Sequence, residues 1–286
     1  MQDGMMKLGW GPIGSARPGS VGRIVTGGLI VGALVLSAGC SSMSEIMSRA
    51  QEPADLAGEQ LGQAVYRHEG NFIIAGGSPD TTAKVQVSLK VRLAGRVFFG
   101  YSQTNLWDIS RASLPFRDTT HRPSLFYYGE QQPLFTVGAY RHVYGVEHNS
   151  NGRDELDSRS LNQLFYRSEL SYGDQRLRHW QFAAKVFAYV GKGDENQDID
   201  DFRNHAEFRL RNTKPNGADY SIWWRPGKGG KGSGAIEFST GLRKLGWDVP
   251  GFLMVQLFAG YGETLLDYNR REQPQLRVGY RLDRGP

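Results

Sequence analysis

The residues best placed to do chemistry lie close together. His148, Ser150 and Asn162 fall within fifteen positions, in Tyr144-Gly145-Val146-Glu147-His148-Asn149-Ser150-Asn151-Gly152-Arg153 and Ser158-Arg159-Ser160-Leu161-Asn162. A serine hydroxyl attacks an ester carbonyl only when a base takes its proton, and a neutral imidazole is such a base. An amide that holds the imidazole in one tautomer completes a triad. Side chains alternate in an extended strand, so His148 and Ser150 share a face with Val146, Tyr144, His142 and Tyr140. On the same parity Asn162 is followed by Leu164, Tyr166, Ser168, Leu170 and Tyr172. If the two strands form an antiparallel hairpin centred near Glu155, His148 falls opposite Asn162. Facing Cβ atoms are then about 4.5–5.5 Å apart, within reach of an imidazole–amide hydrogen bond. A lone His-x-Ser would be weak, because most such pairs are rim residues without chemistry. Three polar residues of matching parity on an otherwise apolar face are a stronger signal.

Such a site needs elements to carry it, and the rest of the chain is strand-like. The protein has 286 residues, 37 Gly, 14 Phe, 13 Tyr and 6 Trp, yet its mean hydropathy is −0.47. A helical membrane protein would be far more apolar. A membrane β-barrel fits, since only alternate residues meet lipid and the lumen is polar. In Lys84–Leu93, Val85, Val87, Leu89, Val91 and Leu93 alternate without a break against Lys84, Gln86, Ser88, Lys90 and Arg92. Weaker or stronger alternation marks Val97–Trp107, Trp180–Val190, Phe202–Leu210, Ile236–Leu242 and Leu276–Leu282. Segments near 70–76, 122–129, 134–150, 160–172, 218–225 and 252–262 bring the expected total to twelve. Gly76-Gly77-Ser78-Pro79-Asp80, Gly191-Lys192-Gly193-Asp194, Pro215-Asn216-Gly217 and Pro226-Gly227-Lys228-Gly229-Gly230 read as turns between them. An even number of antiparallel strands closes into a barrel with no edge exposed to lipid. A large soluble β-barrel would explain the alternation but not the N-terminus.

Residues 1–40 read as an export signal. Lys7, Arg17 and Arg23 precede an apolar stretch from Ile24 to Ala38, which ends at Leu36-Ser37-Ala38-Gly39-Cys40. Cys40 is the only cysteine, so no intrachain disulfide forms. It fits either a lipoprotein-type signal, with Ser37 where that motif usually has Leu, or ordinary cleavage nearby. Residues 41–64 are a polar segment, and 65–283 are the expected barrel. The net charge of +5 comes with no basic run, so nucleic acid is not an expected partner. A basic surface can instead meet anionic lipid head groups.

The segment from His148 to Arg153, with Ser158 to Asn162, resembles the active-site segment of the outer-membrane phospholipase A family. The resemblance extends from about Tyr66 to about Leu282. It implies an all-β fold, a twelve-stranded antiparallel transmembrane β-barrel of the bacterial outer membrane. It also implies a calcium-dependent phospholipase with A1, A2 and lysophospholipase activity. Ser150 would be the nucleophile, His148 the base and Asn162 the orienting amide. The oxyanion would be held near the Ser150 and Gly152 amides, helped by water on bound calcium. Calcium ligands carry over onto the Arg153 carbonyl, Ser158, and Ser113 from a second subunit. An additional carboxylate falls on Glu195, where the family usually has Asp. Composition alone reads Asp194–Asp201 equally well as a solvated acidic loop. Gln103 shares a face with Val97, Phe99, Tyr101 and Trp107, where an unpaired amide would be costly. By resemblance it meets its own copy across a homodimer interface. Alternatives from other classes are a non-catalytic porin or transport barrel, and a lipid-anchored binding module suggested by Cys40.

Overall fold

The computed structural model describes residues 65–135, 138–173, 179–214 and 218–282. The expected export signal with Cys40, the segment 41–64, the turn Pro215-Asn216-Gly217 and residues 283–286 lie outside the described residues.

The chain runs through β1 (Val65–Tyr66), β2 (Phe72–Gly76), β3 (Thr82–Ala94), β4 (Val97–Asp108), β5 (Phe116–Tyr128), β6 (Gln132–Leu134) and β7 (Gly138–Ser150). It continues through β8 (Ser160–Tyr172), β9 (His179–Lys192), β10 (Ala206–Thr213), β11 (Asp219–Arg225), β12 (Ser233–Gly241), β13 (Phe252–Tyr261) and β14 (Arg271–Arg281). The short β6 only flanks β7. Both β1 and β2 pair antiparallel with β3, as two halves of one interrupted strand. The remaining neighbours pair antiparallel in sequence order, and β14 pairs with β2. That last pairing closes a barrel of twelve strands. Closure satisfies every ladder within the wall, which a hydrocarbon surround demands.

Alternation sorts the side chains. Lys84, Gln86 and Lys90 line the lumen, and Ser88 is fully buried. Tyr144, Val146, Leu164, Val186, Ile222, Ile236 and Leu276 stand exposed on the exterior. Inside, charges are paired. Glu147 meets Lys185 at 3.1 Å, Glu169 meets Arg167 at 2.8 Å, and Lys84 meets Glu263 at 3.3 Å. Tyr66, Phe98, Phe126, Tyr128, Val143, Phe165 and Phe187 form an aromatic-rich cluster in the interior. A cavity of about 640 Å³ remains, lined mainly by charged and polar groups. Among the described residues, no helix is long and apolar enough to cross a membrane; here strands do the crossing. Single cysteines introduced along β3, with Cys40 replaced, should label in alternation. Lipid-soluble reagents should reach positions 85, 87, 89 and 91, and positions 84, 86, 88 and 90 should be shielded from them. Uniform water accessibility along β3 would contradict a membrane-facing wall.

Two expected strands start elsewhere: β5 begins at Phe116, not near 122, and the strand expected from Phe202 begins later. The segment Phe202–Leu210 begins not as strand but as a helical turn, Ile199–Phe202, and β10 starts at Ala206. Ile199 and Phe202 sit three apart, on one side of that turn. They pack with Leu161, Leu265 and Tyr268 in a second buried cluster beneath the loops. Burying an apolar side chain of this size contributes about 1.5–3 kcal/mol. That gain holds the 193–203 and 262–270 loops down against the start of β8, which carries part of the site.

Candidate active site

The β7–β8 hairpin pairs His148 with Asn162 and Ser150 with Ser160. The His148 Nδ1 to Asn162 Oδ1 distance is 2.8 Å. A carbonyl oxygen only accepts, so Nδ1 carries the proton and the Nε2 lone pair is left to act as a base. Ser150 lies two residues beyond His148 on the same outward face. Glu147, Asn149 and Gln163 take the opposite parity and line the lumen. The three polar residues therefore share the exterior with Tyr144, Val146 and Leu164, each about half exposed (50%, 48% and 55%). This surface would meet acyl chains, not bulk water.

The 151–159 loop is organised by Asn151, which the sequence reading did not single out. Its side chain is buried. Oδ1 accepts from the Arg159 amide at 2.9 Å and the Arg153 amide at 3.4 Å. Nδ2 donates to the Asp157 carbonyl at 2.8 Å, and the Asn151 amide donates to the Arg159 carbonyl at 3.1 Å. One carboxamide thus closes the whole loop. The Asn-Gly dipeptide was the available signal, a turn former. Gly152 follows with φ of +67°, a conformation that favours glycine. Arg153 folds its guanidinium over the rim, bonding the Arg117 carbonyl and Asp157 and lying 3.8 Å from buried Asp118. Asp118 in turn accepts from the Leu266 amide at 2.9 Å. Replacing Asn151 by alanine strands several buried polar groups, each costing about 1–3 kcal/mol. The expected result is faster tryptic cleavage at Arg153 and Arg159, with the barrel still folded, measured by limited proteolysis.

On the other side, Asn196 clamps the first residue of β8. It is fully buried; Oδ1 accepts from the Ser160 amide at 3.1 Å and Nδ2 donates to the Ser160 carbonyl at 2.9 Å. Glu195, beside it, is exposed on the 194–196 turn. Outside the membrane wall, Tyr268 bonds Asp198 and its hydroxyl is pushed up to about 12, first by burial and then by that bond. It stays a neutral donor that ties the 262–270 loop to the 193–203 loop.

The structure thus gathers Ser150, His148, Asn162, Gly152, Arg153 and Ser158 at one rim. Ser113 is exposed in the loop between β4 and β5. Gln103 points outward as expected, but its amide is engaged within its own chain. Oε1 accepts from the Tyr101 hydroxyl at 3.1 Å, and Nε2 donates to Asn105 Oδ1 at 3.0 Å. For calcium, the donor set consists of hydroxyl and carbonyl oxygens, which suit a hard cation. Ser158 ends the 155–157 turn and is half-buried, and Asp154, Glu155 and Asp157 add exposed negative charge beside it. No group of three or more His, Cys, Asp or Glu converges into a metal cage among the described residues. The residues fit a site in which one chain supplies two oxygens, from Arg153 and Ser158, and the rest comes from elsewhere.

A closed barrel whose apolar outer wall also carries Ser150, His148 and Asn162 defines a class: an outer-membrane β-barrel with a polar cluster facing lipid. A sequence model of the phospholipase A1 family matches residues 64–282. The chain is 30% identical over 208 residues to a putative phospholipase A1 of Neisseria meningitidis, covering 66% of this chain and 51% of that protein. It is 31% identical over 186 residues to phospholipase A1 of Escherichia coli, covering 63% of this chain and 58% of that protein. The chain thus spans a little over half the length of these curated relatives. Among solved structures it resembles the calcium-bound outer membrane phospholipase dimer of Salmonella typhi, with a TM-score of 0.70 and 24% identity over 82% of this chain and 98% of that one. Outer membrane phospholipase A from Escherichia coli gives a TM-score of 0.68 and 24% identity, over 77% of this chain and 98% of that one. The chain belongs to the phospholipase A1 family and is a multi-pass β-barrel of the bacterial outer membrane.

Proposed function

We propose that this protein hydrolyses acyl esters of phospholipids at the outer surface of its barrel, as a calcium-dependent enzyme active as a homodimer. The observation that carries the reading is the 2.8 Å contact between His148 Nδ1 and Asn162 Oδ1, with Ser150 two residues along on the same lipid-facing row. Substrate reaches such a row laterally, without leaving the membrane. Ser150 Oγ attacks the ester carbonyl while His148 Nε2 takes its proton. The same imidazole then gives that proton to the departing glycerol oxygen. Asn162 keeps the ring in the required tautomer without adding charge. The Ser150 and Gly152 amides are the candidate oxyanion donors. Calcium held by the Arg153 carbonyl and Ser158, with Ser113 of a second copy, would add positive charge beside the oxyanion. Glu195 is a further candidate carboxylate for the ion, and Gln103 a candidate dimer contact. Activity at both acyl positions and on lysophospholipids suits a site open along the wall, where a single acyl chain suffices. The phospholipase A1 relatives and the calcium-bound Salmonella typhi dimer support this reading.

The test is release of fatty acid from phospholipid in mixed detergent micelles by the purified full chain, with calcium and with chelator. Calcium-dependent release is expected. A folded barrel that releases no fatty acid from any phospholipid with calcium present would overturn the reading in favour of a non-catalytic barrel.

A further inference from the structure

A second histidine flanks the candidate nucleophile. His121 on β5 is the register partner of Ser150 on β7. Both side chains point outward, so their Cβ atoms stand about 4.5–5.5 Å apart. Ser150 is therefore flanked by His148 along its own strand and by His121 across the next. The His121 ring also covers Gly152. Its Nε2 and Cδ2 lie 3.7 Å from where a Cβ on that glycine would be.

The ring is held from its other end. His121 Nδ1 is 2.8 Å from the Tyr101 hydroxyl. Tyr101 donates its one proton to Gln103 Oε1 at 3.1 Å, and Gln103 Nε2 donates to Asn105 Oδ1 at 3.0 Å. Asn105 Oδ1 also accepts from Thr119 Oγ1 at 3.0 Å. Every donor in this chain points toward Asn105. The Tyr101 oxygen must then accept from His121 Nδ1–H, and Nε2 is left as a lone-pair acceptor beside Gly152 and Ser150. These outward polar residues run from the loop end of β4 and β5 down to the serine. Elsewhere the same wall carries Leu125, Tyr127, Tyr144, Val146 and Leu164. Polar groups facing lipid are costly unless paired, and this network pairs each with the next.

We propose that His121 is a positioning residue for ester hydrolysis, orienting the water that releases the acyl group from Ser150. The proposal rests on the reading of Ser150 as nucleophile. Deacylation is the step that needs water on a surface built for lipid. One water O–H donates to His121 Nε2. The water oxygen attacks the acyl carbonyl while His148 Nε2 takes its other proton. The bond from carbonyl carbon to Oγ breaks, the proton returns to Oγ, and the fatty acid leaves. Acylation needs no water and makes no use of His121.

The full chain in detergent micelles with calcium and p-nitrophenyl butyrate, in rapid-mixing kinetics, separates the two steps. His121→Phe keeps the ring and removes the acceptor. It is expected to slow steady turnover about tenfold to a hundredfold, the scale of a misplaced reactant. A burst approaching one nitrophenol per chain should appear, and hydroxylamine, which attacks without that water, should restore turnover. His121→Gln, whose amide oxygen can accept, should recover part of the loss. Tyr101→Phe, which frees the ring, should move the same readouts in the same direction by less, and serves if His121→Phe fails to fold. Turnover unchanged in His121→Phe, or slowed with no burst and no hydroxylamine rescue, overturns the proposal and leaves the nucleophile standing. A burst that survives in Ser150→Ala overturns the nucleophile itself.

Discussion

Ester hydrolysis should fall by at least about a thousandfold when Ser150 is replaced by alanine, and by a similar amount in His148→Ala, because the two act as one unit. Neither change should disturb the barrel. Both side chains stand on the exterior, where alanine is compatible with lipid, and the β7–β8 ladder is made by backbone. Asn162→Ala should be milder. It deletes the acceptor 2.8 Å from His148 Nδ1, so the imidazole can rotate or take the other tautomer, but nucleophile and base remain. The ordering Ser150 and His148 first, Asn162 after, is a sharper test than any single loss. It is read from fatty-acid release by equal amounts of folded protein. Near-normal turnover in Ser150→Ala would remove the triad assignment outright.

How far this site was legible in the sequence depends on which residues alternate. In β3, Val and Leu face lipid against Lys, Gln and Ser, so period 2 is plain and the strand reads within two residues of its observed ends. The β7–β8 register was legible too, because one turn centred on Glu155 fixes every pair in the hairpin, and His148 does meet Asn162. The start of β5 was not. Residues Phe116 to His121 place Thr119 and His121 outward and Asp118 and Thr120 inward. With polar residues on both faces there is no contrast to read, and the expected strand began at 122. His121 was left outside it, and so was its place beside Ser150. Gln103 is a different case. Its outward parity was legible, but its bonds to Tyr101 and Asn105, at i−2 and i+2 on the same face, were not, because they run along one strand and leave no mark in the alternation. At Phe202 the apolar parity carried on past the true strand end, while Ile199 and Phe202 were spaced as one helical turn folding into the rim. Loop closure by Asn151 and Asn196 depends on backbone groups, which leave no mark in side-chain periodicity.

Removing calcium should depress hydrolysis about a hundredfold, the scale of losing one oxyanion-stabilising contact, and the loss should depend on whether the protein is dimeric. Arg153 and Ser158 belong to the 151–159 loop, so one chain offers two of the proposed oxygens, fewer than the six to eight such an ion prefers. Ser113 lies in a different loop, between β4 and β5. If it completes the shell from a second copy, the ion binds the dimer better than the monomer. Mass action then requires calcium to promote pairing, and pairing to raise calcium affinity. Ser158→Ala should weaken calcium activation in every protomer. Ser113→Ala should shift the calcium titration while leaving His148 and Asn162 paired. Gln103→Ala should loosen the dimer, but because Gln103 is also bonded to Tyr101 and Asn105, it should disturb His121 as well. Crosslinking and fatty-acid release, followed together across a calcium titration in detergent, separate these effects. In mixtures of Ser150→Ala with Ser113→Ala protein, calcium sensitivity should follow the partner that brings Ser113, since the active serine and the third ligand then sit on different chains. Full calcium-dependent activity where no dimer forms would refute the shared site and leave a triad that works within one barrel.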